Sequence, residues 1–158
     1  MTGTLTVTLP SAREVRTSRT FDAPRAFVWD AHTRPDLVQR WLTGPPGWTM
    51  TVCEVDLKVG GRYRYVWAHP EQQGFGMVGE FKEIVAPERI VHSERFDGSP
   101  GGEAIVTVLF TETAGKTTLT LTMIFESEKV RDEAVATGMT DGMEMGYQKL
   151  DALAAGAR

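Results

Sequence analysis

The feature that most constrains this chain is a change of hydrophobic period. From Phe27 to Trp41 the apolar residues recur at helical spacing. Beyond the rigid breaker Thr43-Gly44-Pro45-Pro46-Gly47 they alternate with a period of two for about eighty residues. The predicted strands are Thr49 to Leu57, Arg62 to His69, Phe75 to Val85, Arg89 to Phe96, Glu103 to Thr111 and Lys116 to Glu126. The Gly-, Pro- and acid-rich connectors between them are too short to hold a crossover helix, so successive strands must be antiparallel neighbours in a meander.

Helical segments flank this block. Glu14 to Phe21 reads as a first strand, after which Asp22 is placed to cap a short helix and Pro24 to set its first turn; Phe27, Val28 and Ala31 supply the apolar face. Thr33-Arg34-Pro35-Asp36 starts a second short helix running to Trp41. Near the end, Ser127 caps a helix beginning at Glu128, Gly138 interrupts it, and Thr140, Asp141 and Glu144 open a long final helix to about Ala155. Its stripe of Met139, Met143, Gly146, Tyr147, Leu150 and Ala154 needs a cover, and the sheet is the large apolar surface on offer. The expected fold is α+β: a curved antiparallel sheet of about six or seven strands wrapped around a long C-terminal helix, with two short helices after the first strand. It forms a single domain over residues 1–158, with 1–12 a loosely ordered extension.

Composition narrows the function classes. The 158 residues carry 17 Lys plus Arg against 21 Asp plus Glu, a formal charge of -4, which argues against the basic footprint that nucleic acid demands. No apolar run is long enough to span a membrane, and the first residues lack a leader-like pattern. A single cysteine, Cys53, and the absence of asparagine point to a reducing cytoplasm and to no disulfide or multi-cysteine metal site. No cofactor is expected, and a homodimer is the default among small soluble proteins.

Strand alternation indicates what faces inward. Tyr63, Tyr65, Trp67 and His69 share one face, opposite Arg62 and Arg64; Val106, Val108 and Phe110 form a second inner row, and Leu119, Leu121, Met123 and Phe125 a third. Tyrosine and tryptophan have polar tips that need partners, and methionine adapts to variable contents, so this composition suits a wedge between sheet and helix that admits a guest. The expected lining from the helices and the first half of the sheet is Trp41, Trp48, Tyr63, Tyr65, Trp67, Met77 and Phe96. From the second half and the final helix it is Val108, Phe110, Leu121, Met123, Met139, Met143 and Tyr147, with His69 as a polar orienting group at the mouth. The expected partner is a small or medium-sized hydrophobic molecule.

An ordered series of short motifs adds a family resemblance. Arg19-Thr20-Phe21-Asp22-Ala23-Pro24 with Val28-Trp29 is followed by Arg40-Trp41, Gly60-Gly61-Arg62-Tyr63 and Gly79-Glu80-Phe81-Lys82-Glu83-Ile84. Then come Pro87-Glu88-Arg89-Ile90-Val91, Val106-Thr107-Val108, Thr117-Thr118-Leu119-Thr120 and Gly138-Met139. Spanning Ser18 to Leu153, the series resembles bacterial members of the Hsp90-ATPase-activator-homologue group, within the START-like or polyketide-cyclase-like superfamily. The resemblance implies a helix-grip fold around an apolar cavity. It implies no single activity: superfamily members bind lipids, hormones and polyketides, some cyclise or hydrolyse them, and the eukaryotic namesake stimulates a chaperone ATPase. Ligand binding is the first expectation. A cyclase, dehydratase or hydrolase acting in the same cavity, with His69 and an inward carboxylate, is the second, and a chaperone-cofactor-like interaction module the third.

Other motifs carry less. Gly74-Phe75-Gly76-Met77-Val78-Gly79 matches G-x-G-x-x-G, but the chain continues as strand where a dinucleotide site needs a helix, so these glycines mark bends or close packing. His32, His69 and His92 are too dispersed to bind metal together. Ser99 reads as turn chemistry, and no catalytic residue is assigned. Glu54, Asp56, Glu80 and Glu94 are strand carboxylates for which an outer, solvated face is expected.

Overall fold

A computed structural model describes residues 4–97 and 102–156 of the chain; Ser99 lies outside them. The elements run β1 (Thr6–Thr8), β2 (Glu14–Phe21), α1 (Arg25–Thr33), α2 (Pro35–Trp41), β3 (Thr49–Val55), β4 (Arg62–Ala68), β5 (Phe75–Val85), β6 (Arg89–Phe96), β7 (Ala104–Thr113), β8 (Lys116–Ile124), α3 (Glu128–Ala136) and α4 (Met139–Gly156). All strand pairs are antiparallel, in the order β1-β2-β8-β7-β6-β5-β4-β3, and the two ends of the sheet are not joined. From β3 to β8 this is the meander that the short connectors require.

The remaining pairing is long-range. β2 lies against β8 from Glu14 opposite Ile124 to Phe21 opposite Thr117, which brings the first long strand beside the last. Ahead of Glu14, Thr6–Thr8 pairs with Arg16 to Ser18 and adds an eighth strand at the edge. Three residues are too few for period-two patterning to register, so alternation indicates only six or seven strands.

Local signals set the helix ends. α3 starts where Ser127 Oγ accepts the Val130 N–H at 3.2 Å, as its capping role requires. Gly138, at φ 81°, takes the left-handed turn that separates α3 from α4. α1 departs from expectation: its N-cap is Pro24 rather than Asp22, and no side chain caps it. Instead the Pro24 carbonyl accepts from the N–H groups of Phe27 and Val28 at 3.0 and 3.2 Å.

α4 is seated on the sheet by its apolar stripe and by a buried cation. Tyr147, Leu150 and Ala154 are buried; the Tyr147 ring meets Phe21 edge-on at 5.3 Å and stacks on Trp41 at 5.7 Å. Arg19, on the inner face of β2 and 3% exposed, donates to Glu144 at 2.8 and 3.1 Å and to Asp151 at 2.9 and 2.7 Å. Those two carboxylates lie about two turns apart on one face of α4, so a single guanidinium clamps both. Burial works against the charge of Arg19, but its hydrogen bonds to Asp151 and Glu144 outweigh this and hold it more firmly protonated. Glu144 is held below the usual carboxylate range by the same contact.

Candidate functional site

The interior between sheet and α4 is lined first by aromatic rings. β4 alternates as its sequence requires: Tyr63, Tyr65 and Trp67 are buried, while Arg62 and Arg64 are exposed and stand opposite Glu80 and Glu54 in register. Neighbouring rings on this strand lie 5.0 and 6.0 Å apart. The indole N–H groups of Trp67 and Trp41 donate to the Leu42 and Ala31 carbonyls at 2.8 and 2.7 Å. Gly79 lies opposite Tyr63, and a Cβ there would collide with the Ser93 carbonyl oxygen and the Tyr63 ring. That glycine belongs to the G-x-G-x-x-G match, which runs from Gly74, just ahead of β5, into the strand. Its use is close packing.

Set into this lining is a polar group that the sequence reading did not place there. On β6, Ile90, His92 and Glu94 pair with Val108, Val106 and Ala104, all of them inner-face residues. Glu94 therefore points inward. The expectation of an outer, solvated Glu94 is corrected, because cross-strand partners share a face and here the phase of the strand outweighs the preference of a carboxylate for water. Burial pushes the Glu94 carboxyl up to about 7. Its field reaches the hydroxyls of Tyr63, Tyr65 and Tyr147, each of which is raised above the ordinary tyrosine value, chiefly by burial.

The two interior histidines are neutral around pH 7. His32 is lowered to about 4 by burial, with Nδ1 2.8 Å from the Val28 carbonyl and its ring against Trp41 and Phe110. His92 is also lowered by burial; its Nδ1 lies 2.9 Å from the Ser93 carbonyl and 3.1 Å from Tyr63 Oη, which itself donates to Ser93 at 2.8 Å. Burial also raises the Cys53 thiol, to about 11. Near neutrality, Glu94 is thus the interior group poised to change charge.

The Tyr65 and Tyr147 hydroxyls and the Glu94 carboxyl make no hydrogen bond among the described residues, yet none of them is sealed from water. Among the described residues the one buried side-chain polar atom that is both sealed and unpartnered is His32 Nε2. The tyrosine and glutamate groups therefore border space that a water-sized molecule can reach.

The positions expected to line a cavity divide as follows. Trp41, Tyr63, Tyr65, Trp67, Met77, Val108, Phe110, Met123 and Tyr147 are joined in one buried cluster, against which half-buried Trp48, Leu121, Met139 and Met143 pack. Phe96 stands outside that cluster, 42% exposed at the end of β6, its ring 6.1 Å from Phe75. His69 sits at the rim, with Nδ1 accepting the Glu71 N–H at 3.0 Å and its ring 5.1 Å from Trp48. In that position it terminates a turn. An open surface depression of about 380 Å³ at Arg25, Val85, Glu88, Arg89, Leu109, Phe110 and Thr111 shares only Phe110 with this lining.

Among the described residues no group of three or more His, Cys, Asp or Glu side chains could hold a metal ion, and no helix is long and apolar enough to cross a membrane.

A family model described as Activator of Hsp90 ATPase homolog 1-like protein matches residues 22–155. A crystal structure of a Rhodobacter sphaeroides protein is similar at 32% identity and a TM-score of 0.92, covering 98% of this chain and 99% of that one. A solution structure of an Arthrobacter aurescens protein is 27% identical at a TM-score of 0.84, over 97% of this chain and 92% of that one. An Aeromonas hydrophila protein described as AHSA1-like is 26% identical at a TM-score of 0.69, over 87% and 93% of the two chains. No curated protein matches the sequence.

Proposed function

The chain belongs to the Activator of Hsp90 ATPase homolog 1-like family, and on that premise we propose that it takes a small or medium-sized hydrophobic molecule between the curved sheet and α4. The observation that carries this reading is the state of the polar tips. A finished core satisfies its hydroxyls, whereas Tyr65 and Tyr147, 8% and 4% exposed, keep theirs unpartnered beside reachable space. Binding would draw on ~25 cal/mol per Å² of apolar surface removed from water, with those hydroxyls fixing orientation. The working compartment is a reducing cytoplasm, in keeping with one free cysteine.

Titration with hydrophobic dyes and aromatic polyketides tests the proposal, with Trp41 and Trp67 as internal reporters. Saturable quenching of their fluorescence is the expected result. Loss of the quenching when Tyr147→Trp fills the space, with the fold intact by circular dichroism, would locate the guest. A panel with no saturable binder, and no small molecule retained in native mass spectrometry, would refute it.

The interior also favours a second reading in one respect. A carboxyl poised near neutrality is suited to general acid–base work, and the Tyr63 hydroxyl lies within hydrogen-bond reach of His92. A cyclase, dehydratase or hydrolase built on these groups would lose turnover in Glu94→Gln while still binding its substrate.

A further inference from the structure

The outer side of the sheet carries a second concavity, apart from the interior. We propose that the open depression of about 380 Å³ beside the start of α1 takes a small amphiphilic carboxylate, its acid group on Arg25 and Arg89 and its apolar part on Val85 and Leu109.

Strand register builds the floor. Val85 of β5 stands opposite Arg89 of β6, and Arg89 stands opposite Leu109 of β7, so the three residues form one row across neighbouring strands. On β7 the buried positions are Val106, Val108 and Phe110, which turns Leu109 to the outer face, away from α4. Val85 and Leu109 are 44% and 36% exposed, and they border the depression on either side of Arg89. A ligand lying along this row would cover apolar surface that the fold leaves to water.

The walls supply donors. Arg89 donates through Nε to Glu83 at 2.7 Å, and no hydrogen bond among the described residues engages its two terminal nitrogens. Arg25 has its backbone N–H held by Glu112 at 2.9 Å. Its guanidinium makes no hydrogen bond among the described residues and stands 3.7 Å from Glu88 Oε1. Both forks thus keep N–H groups for the oxygens of a carboxylate.

Charge and size select the class of ligand. Two arginines against Glu88 leave the lining net positive, on a chain whose formal charge is -4. A monoanion balances that excess, whereas a doubly charged phosphate monoester would be repelled by Glu88. The volume is that of a small-molecule site, of ~300 to 1,000 Å³. Two exposed aliphatic side chains cannot supply the ~800 Å² that each side of a stable protein interface buries.

The test is an amide-resolved NMR titration with naphthylacetate, and with naphthylethanol as the uncharged control, at low ionic strength. Saturable shifts are expected at the amides of Val85, Arg89, Leu109 and Thr111, with the alcohol binding about tenfold more weakly there. Arg25→Gln and Arg89→Gln should each weaken the acid by about tenfold and leave the alcohol unchanged. Val85→Glu places a carboxylate beside Arg89 at an exposed position and should abolish the shifts; it decides the matter should an arginine variant not fold. Acid and alcohol binding equally, shifts that survive Val85→Glu, or no shift at these four amides overturns the proposal. The interior guest is judged separately, by the amides of Tyr65 and Tyr147.

Discussion

At the scale of single residues, two buried ionisable groups pull stability in opposite directions with pH. Glu94 is raised from its ordinary 4.5 to about 7, so the folded state holds its proton more tightly than the unfolded chain does. Its contribution is most favourable below 4.5 and erodes as pH rises to about 7, by on the order of 3 kcal/mol at most. His32 is lowered from 6.5 to about 4, so the stability tied to its neutral form is present above 6.5 and is lost as pH falls toward 4. The wild-type profile between these limits should therefore be flattened by cancellation. Glu94→Gln should unmask the His32 slope: its stability rises with pH and exceeds wild type at pH 8, while the two proteins converge near pH 4.5. Urea unfolding across that range measures both curves, and parallel curves would contradict the burial of Glu94. Gly79→Ala is a second residue-scale prediction. The added methyl meets backbone as well as the Tyr63 ring, so it should destabilise by roughly 1 to 3 kcal/mol.

Much of the burial at the candidate site is legible in the sequence, and the rest is hidden for physical reasons. Alternation along Tyr63, Tyr65 and Trp67 named the inner face of β4 correctly. The same alternation along Ile90, His92 and Glu94 turns the carboxylate inward, against the general preference of charge for water. Phe96 keeps the inner phase of β6 but lies at the strand end, where little covers it. Arg19 shares its face with Val15, Thr17 and Phe21 and so reads as buried, but its partners lie 125 and 132 residues away, a separation no local pattern encodes.

At the scale of elements, the seat of α4 is the point of leverage. Removing the guanidinium in Arg19→Ala leaves Glu144 and Asp151 facing each other across two turns without their shared cation, and a buried pair broken on one side costs about 3 to 5 kcal/mol. Because both carboxylates are about one-fifth exposed, the lower end of that range is expected in urea unfolding. The same helix offers a control of opposite sign. Gly142 lies within α4 with nothing near the position a Cβ would take, so Gly142→Ala should stabilise by roughly 0.5 to 1 kcal/mol. Finding both effects would separate helix propensity from helix docking. The element boundaries illustrate the same division: Ser127 and Gly138 mark helix ends by local chemistry, whereas β1 exists only because β2 is there to pair with it.

At the scale of the whole molecule, an open sheet that curls around one helix depends on contents as well as contacts. A ligand bound only by the folded state adds RT ln(1 + [L]/Kd), about 2.7 kcal/mol at a hundredfold excess over Kd. The melting temperature should therefore climb with the concentration of any true guest and keep climbing logarithmically past saturation, as followed by differential scanning calorimetry. A melting temperature indifferent to a molecule that quenches tryptophan would assign that quenching to the exterior. The long-range pairing of β2 with β8 joins strands from the two ends of the chain, and topology of that kind slows folding.

The backbone N–H of Leu5 donates to Glu144 Oε1 at 3.0 Å, the same oxygen that Arg19 holds. The backbone at Leu5 is thereby tied to the seat of the terminal helix. An affinity tag fused at that end is not a neutral handle for this protein, and ligand measurements are better made with the tag at the other terminus or cleaved away.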